Sequence, residues 1–463
     1  MKNFSKILIC LLLCVFSLTL FACKDDERTP EEKAFTYPTS ADLTTGNGGM
    51  AVQKGNYLYY INGYQSILSE DREQGYSYTH GALMLMKLNN DGSIVTDKNN
   101  LLKDEYFVTM SNMLCGFEVS SLYIAGDYLY FTAGSEENVN DKAVEDDSVW
   151  AKEFVEFYRV KLDKSSKPER IYQVGVKYAE DSKLDYEYYS NGANVFIVIY
   201  EPGENLADKA ELEEEKIEED EVRNNYISRI SGSGEYELVD NNVSNFVFGK
   251  NSNEIFYTTT EEDEDKTLVQ YNVENNSKSN YTIRANSFTI ENVANGKVYI
   301  KENGNLLESS IANKTAFNNV CYSVDDYTKV VVENTIVAIR DNEFNFFNNK
   351  LQISETVKDS AVTSINVIGC VGSSIVYYAD DNKTIKIFNT DDKTISTLAV
   401  VEDLQTKYFD LQEDYIYFFK NVNSNAYLHR VKVANNFGET AEMVGVYLED
   451  DKPEVESDEI IEE

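Results

Sequence analysis

Only two histidines, His80 and His429, occur in 463 residues, too few for a histidine-built metal centre. Basic side chains are scarce as well: 42 Lys and Arg stand against 80 Asp and Glu, a formal charge of −38. A field of that sign repels nucleic acid and anionic lipid, so no nucleic-acid partner is expected. No G-x-S-x-G nucleophile elbow and no P-loop is present. Tryptophan occurs once, at Trp150. Of six cysteines, Cys10, Cys14 and Cys23 belong to the N-terminal apolar run or its end, and Cys115, Cys321 and Cys370 are far apart, odd in number and without C-x-x-C spacing. Neither a disulfide framework nor a zinc site is indicated. These three are expected as buried thiols, with one disulfide as the alternative, and no cofactor or metal is expected.

What is present begins with a leader. Lys2 and Lys6 precede an apolar run from Ile7 to Ala22 that only Ser17 and Thr19 interrupt. That is the charge and core pattern of an export signal. Its 16 residues fall short of the ~20 that span a bilayer comfortably. The run ends Leu20-Phe21-Ala22-Cys23, which resembles the lipobox of bacterial lipoproteins, with Phe21 bulkier than the usual residue at its position. The resemblance implies a signal peptide over 1–22, lipidation of Cys23, and a protein held by lipid on the extracytoplasmic side of a bacterial membrane, in the cell envelope. Acyl chains contribute about 0.8 kcal/mol per buried CH₂, so two or three hold a protein firmly. Residues 23–35 read as a tether, and Lys24-Asp25-Asp26-Glu27 resembles the surface-export signals of some Gram-negative lipoproteins. Without Lys2 and Lys6 the mature chain keeps 40 basic against 80 acidic groups, a net of −40.

One phrase recurs eight times, a turn residue followed by a strand rich in Tyr, Ile and Val, as in Gly55-Asn56-Tyr57-Leu58-Tyr59-Tyr60 and Gly126-Asp127-Tyr128-Leu129-Tyr130-Phe131. With Leu58, Leu129, Val195, Ile255, Val298, Ile336, Ile375 and Ile416 as equivalents, the spacings are 71, 66, 60, 43, 38, 39 and 41 residues. A period near 40 is that of a four-stranded propeller blade. A second alternating strand follows each phrase, as at Leu83 to Leu88, Phe157 to Leu162 and Tyr427 to Val433, and then an Asn- or Asp-rich turn. The 33 Tyr and 23 Phe suit pleated, half-buried surfaces. The expected fold is therefore all-β, a single β-propeller over 36–448 with eight four-stranded blades, or seven if the first and last repeats share one. The copy at Ile336 is the weakest, because its tyrosines are missing. Residues 449–463 read as a disordered acidic tail.

This pattern resembles the propeller lipoproteins of unknown function of low-GC bacteria and, more distantly, the low-density-lipoprotein-receptor-like propeller repeats. The Tyr-Trp-Thr-Asp tetrapeptide of the receptor type does not occur, nor does the tryptophan-rich docking pattern of quinoprotein-like propellers, so no family active site carries over.

The three long spacings place insertions at about Asn62 to Gly81, Ala133 to Glu153 and Glu201 to Arg223, each after the Tyr-rich strand. If that strand is second in its blade, the insertions emerge side by side on one face, where Tyr76, Tyr78, His80 and Trp150 are the candidate binding residues. Solvated, drifted loops are the competing reading. The third insertion holds eleven acidic residues against Lys209, Lys216 and Arg223, with Leu206, Ala210, Leu212 and Ile217 as a narrow helical stripe; it reads as a charged flap. The carboxylate clusters at Glu261 to Asp265, Asp325-Asp326, Asp380-Asp381 and Asp391-Asp392 lack a D-x-[DN]-x-[DN]-G loop and read as hairpin turns.

A binding or scaffolding role for a protein, peptide or glycan is the expectation. The alternatives are a carboxylate-dependent glycosidase or lyase, which needs only two acids in a central pocket, and a subunit of a larger envelope complex.

Overall fold

The glycines that head repeat phrases reverse the chain. Gly126 and Gly296 do so with φ of 59° and 70°, which a side chain adopts only under strain. The Tyr-rich segment that follows is the second strand of its four-stranded sheet at Tyr128–Gly134, Val195–Tyr200, Glu254–Thr259, Lys297–Glu302, Ile336–Arg340 and Ser374–Tyr378; Tyr57–Ile67 and Tyr415–Val422, each paired with the strand before it, lie in one larger sheet and are counted as the second strands of the first and last repeats. Both sides of these strands are buried, as at Leu58, Tyr59 and Tyr60 or Ile255, Phe256 and Tyr257, because each sheet packs between two neighbours. Seven of the eight equivalent residues are 0–2% exposed, and Ile336, in the weakest copy, is only half-buried. A buried Leu or Ile contributes about 1.5–3 kcal/mol.

The computed structural model describes residues 37–67, 78–94, 104–106, 122–134, 154–175, 185–200, 226–230, 236–241, 243–248, 253–259, 266–433 apart from short breaks, and 441–445. Among them the chain forms seven antiparallel sheets of a propeller ring. Six take four consecutive strands each, from repeats two to seven. The seventh has nine strands and unites the first and last repeats, joined where Tyr64 pairs with Ala426. The ring therefore has seven blades, the expected alternative, because the first and last repeats share one sheet.

First strands of successive repeats form the inner wall and tie the blades together. Asn47 accepts the Ile124 N–H at 2.7 Å and donates to the Ile124 carbonyl at 3.1 Å. Asn245, at φ 59°, accepts the Ile290 N–H at 2.5 Å. The Gln412 carboxamide donates to the Ala51 carbonyl, closing the last repeat on the first. Between sheets the cores are apolar and aromatic. Phe344 and Phe346 of the sixth repeat meet Tyr377 and Phe388 of the seventh, with Phe344 and Phe388 stacked at 4.1 Å.

Third strands carry a second recurring device. Arg159, Arg229 and Arg430 each pair with a glutamate on the fourth strand, Glu169 at 2.9 Å, Glu237, and Glu442 at 2.7 Å. The Arg159 and Arg430 guanidiniums also lie 4.4 Å and 4.2 Å from the ring centres of Tyr128 and Tyr415. An arginine in such a blade is thus clamped between an aromatic face on one neighbouring strand and a carboxylate on the other.

The extra length of the long repeats is less uniform than expected. Residues 135–153 and 201–225 do separate second from third strands. In the first repeat half of the insertion is itself strand, since Tyr57–Ile67 and Tyr78–Lys87 go on pairing beyond the register shift between Asn62 and Gln65, and further length falls between Lys87 and Tyr123.

Candidate functional site

A cavity of about 480 Å³ opens on the inner wall where repeats five, six and seven meet. The first strands of these repeats, Thr289–Ala294, Lys329–Val332 and Asn366–Val371, line it, together with the connector that holds Val324, Tyr327 and Thr328. Two of the strands carry β-bulges on its flanks, between Ile290 and Asn292 and between Val367 and Gly369. A bulge re-aims side chains that regular pleating would point elsewhere. The middle strand has no bulge and only four residues, and it belongs to the weakest repeat. The cavity is thus the space left where a short first strand stands between two kinked ones.

The lining is chemically divided. Glu291 and Lys301 come from the fifth repeat and Lys329 from the sixth, while Leu306, Val324, Val330 and Val367 supply an apolar wall. Lys301 forms an ion pair with Asp325, and that carboxylate's hydrogen bond, helped by the charges of Asp325 and Glu291, raises the lysine above its usual range. Asp325 sits in a single 3-10 turn, Val324–Asp326, packed over Gly304: a Cβ at Gly304 would come within 2.8 Å of the Asp325 carboxylate. Glu291 accepts the Thr289 hydroxyl at 2.7 Å. Tyr327 stands edge-on to Phe347 at 6.2 Å, and burial raises its hydroxyl. Gly369 is required by close packing, because a Cβ there would meet a Leu411 methyl at 2.7 Å.

The expected binding residues are placed as follows. Tyr76 and Trp150 lie outside the described residues, as does the third insertion with its helical stripe. Tyr78 and His80 lie on the third strand of the first repeat, paired with Ile67 and Gln65, in a repeat that does not line this cavity. Cys23, Leu20, Phe21, Ala22 and Cys115 also lie outside the described residues. Cys321 is a buried thiol that burial pushes up to about 11. Cys370 is a correction to the expected buried thiols, because the bulged strand leaves it half-buried at the cavity. The turn reading of the acidic clusters holds at Asp381, which accepts the Lys383 and Thr384 N–H groups at 2.8 Å each, and at Asp392, which accepts that of Thr394 at 3.0 Å. Asp325 is the member that does more, through Lys301.

His429, the other histidine, is buried, its Nδ1 2.9 Å from the Tyr427 carbonyl oxygen. Burial, against the pull of that carbonyl, brings it down to about 4. Asp359, Lys386 and Tyr377 form a buried group that ties the sixth blade to the seventh: the ammonium pairs with the carboxylate, and the phenol donates to it at 2.6 Å. Burial alone would raise Asp359, yet the hydrogen bonds from Lys386, Tyr377 and the Ala361 N–H leave it below its ordinary value. Among the described residues no helix is long and apolar enough to cross a membrane.

No family model matches the chain, and no curated protein does. Among solved structures it is similar to the β-propeller domain of the trilobed protease from Pyrococcus furiosus, at 10% identity over 89% of this chain and 99% of that one, with a TM-score of 0.37. It is similar to a prolyl endopeptidase at 8% identity and a TM-score of 0.43, over 88% of this chain and 60% of that one. TolB from Acinetobacter baumannii is similar at 8% identity and a TM-score of 0.29, over 61% of this chain and 74% of that one. These are likenesses of fold at low identity, and no activity passes from them to this chain.

Proposed function

We propose that this protein is a binding module of the bacterial cell envelope, held by lipid at Cys23 after removal of residues 1–22, and that recognition takes place in the inner-wall cavity. The cavity carries this reading: a 480 Å³ recess with an apolar wall and a few placed polar groups, bounded by sheets on both flanks, has the form of a small-ligand site. Its lining offers the Glu291 carboxylate, with Asp325 already committed to Lys301, and a glycosidase needs two carboxylates facing one bond. Holding a ligand is the chemistry these groups suit. The large exposed apolar side chains among the described residues, Leu43, Tyr322, Ile353 and Val400, lie in separate repeats, which favours a ligand in the recess over a broad protein face.

Two experiments test the reading. Growth with an alkyne-tagged fatty acid is expected to label the wild-type protein and leave Cys23→Ala unlabelled and released from the membrane fraction; equal labelling refutes the anchor. Native mass spectrometry of the protein purified from envelope is expected to show a one-to-one adduct of small mass that is released unchanged. Release of a cleaved or eliminated product would instead establish the glycosidase or lyase alternative.

A further inference from the structure

The charges around the cavity are not spread evenly. On the fifth-repeat side Glu291 and Asp325 share one cation, Lys301, and Asp326 stands beside Asp325 in the same turn, which leaves that side with an excess of negative charge. On the sixth-repeat side Lys329 brings a positive charge. A ligand in the cavity therefore meets a carboxylate and an ammonium from neighbouring repeats, together with the apolar side chains of Val330 and Val367. Net charge narrows the choice further. The mature chain, with a net charge of −40, repels free anions at long range, whereas a zwitterion has no net charge to be repelled and gains at both of its charges once inside. The volume, about 480 Å³, falls within the ~300–1,000 Å³ of ordinary small-ligand sites and has room for a few residues of extended peptide.

We infer that the cavity binds a short apolar peptide with both termini free, its α-ammonium at Glu291, its terminal carboxylate at Lys329 and its side chains on the apolar wall. The inference rests on the binding reading of the same cavity and sharpens it to a ligand class. Asp325 is a positioning residue here: Gly304 seats it against Lys301, so that Glu291 keeps its charge for the ligand. The bulges at Asn292 and Gly369 lie on the two flanks of the recess, within sheet strands.

The test is calorimetric titration of the detergent-solubilised full chain with trileucine, N-acetyl-trileucine and trileucine amide. Trileucine is expected to bind, and each cap to weaken it by about tenfold or more, the worth of one charge-assisted contact. Glu291 and Lys329 are both exposed side chains, so Glu291→Gln and Lys329→Gln should leave the far-ultraviolet circular dichroism spectrum unchanged. Glu291→Gln is expected to abolish the difference between trileucine and its acetylated form, while the penalty of the amide remains. Lys329→Gln is expected to do the reverse. Caps without effect, variants that change both penalties alike, or no binding of trileucine at millimolar concentration overturn the inference. If trileucine fails while the envelope-purified protein still carries its small adduct, the ligand class is wrong and the binding function stands; if the adduct is missing too, both fall.

Discussion

Repeats one to three and repeats five to eight use the same strand phrase, but they place their variation differently. The early repeats, 60 to 71 residues apart, put it into long segments between strands. The later ones, 38 to 41 residues apart, have no room for that; register shifts occur inside strands of early and late repeats alike, at Ile227/Ser228 as at Asn292, and the later side is set apart because two of them, at Asn292 and Gly369, flank one first strand, Lys329–Val332. That arrangement makes a recess with walls that are parts of sheets. If recognition takes place in that recess, as proposed, loop length is a poor guide to where a propeller of this kind holds a ligand.

The compact side should also be the one that tolerates change least, and four substitutions or deletions measure the difference. The largest effect is expected from Asp359→Ala. Its side chain and that of Lys386 are 5% and 8% exposed, so the change leaves a buried ammonium without its carboxylate, and denaturant unfolding should show a loss of about 3–5 kcal/mol. A loss under about 1 kcal/mol would mean that the seam between blades six and seven does not depend on this pair.

The second test is one of pH. His429 is held at about 4 in the folded chain, against ~6.5 for an unfolded histidine, so between these values the unfolded state binds the additional proton. Stability is complete above the unfolded value and declines as pH falls toward 4. Between pH 7 and pH 5 this group should cost about 2 kcal/mol, and His429→Gln should flatten that part of the pH profile. An unchanged profile in the variant would contradict the assignment.

Smaller still is Glu442→Gln. Arg430 is buried, but its glutamate is 46% exposed, and the guanidinium keeps the Gly92 carbonyl at 2.9 Å and the Tyr415 ring. A loss of about 1 kcal/mol is expected in urea titration, well below that of Asp359. Least of all, replacement of residues 201–225 by a short Gly-Ser turn should change stability by about 0.5 kcal/mol or less. A large loss there would turn the comparison around and make the early insertions structural.

How much of this was legible in the chain depends on the range of the interaction. The eight second strands were legible because a turn residue and a run rich in Tyr, Ile and Val are local: Gly126 reverses the chain beside Tyr128, and Leu129, Tyr130 and Phe131 are all buried. The grouping into seven sheets was legible only as an alternative, since it depends on Tyr64 meeting Ala426 at opposite ends of the chain. The arginine clamps leave a faint trace, Arg159-Val160-Lys161 and Arg430-Val431-Lys432, that the Tyr-rich phrase overshadowed. The cavity was not legible, because Glu291, Lys329 and Gly369 come from three repeats and converge only through bulges, which a hydropathy pattern does not reveal. Its one signal was the missing tyrosines around Ile336, in the repeat that supplies the middle strand of the recess, Lys329–Val332.

The central claim is that recognition belongs to the compact side of the ring, and its most direct measurement compares two altered chains by titration with trileucine. One carries Gly-Ser turns in place of residues 135–153 and 201–225, and the other carries Lys329→Gln. The account predicts wild-type affinity in the first and a loss of about tenfold or more in the second. Affinity lost in the first and kept in the second would contradict it and return recognition to the long insertions.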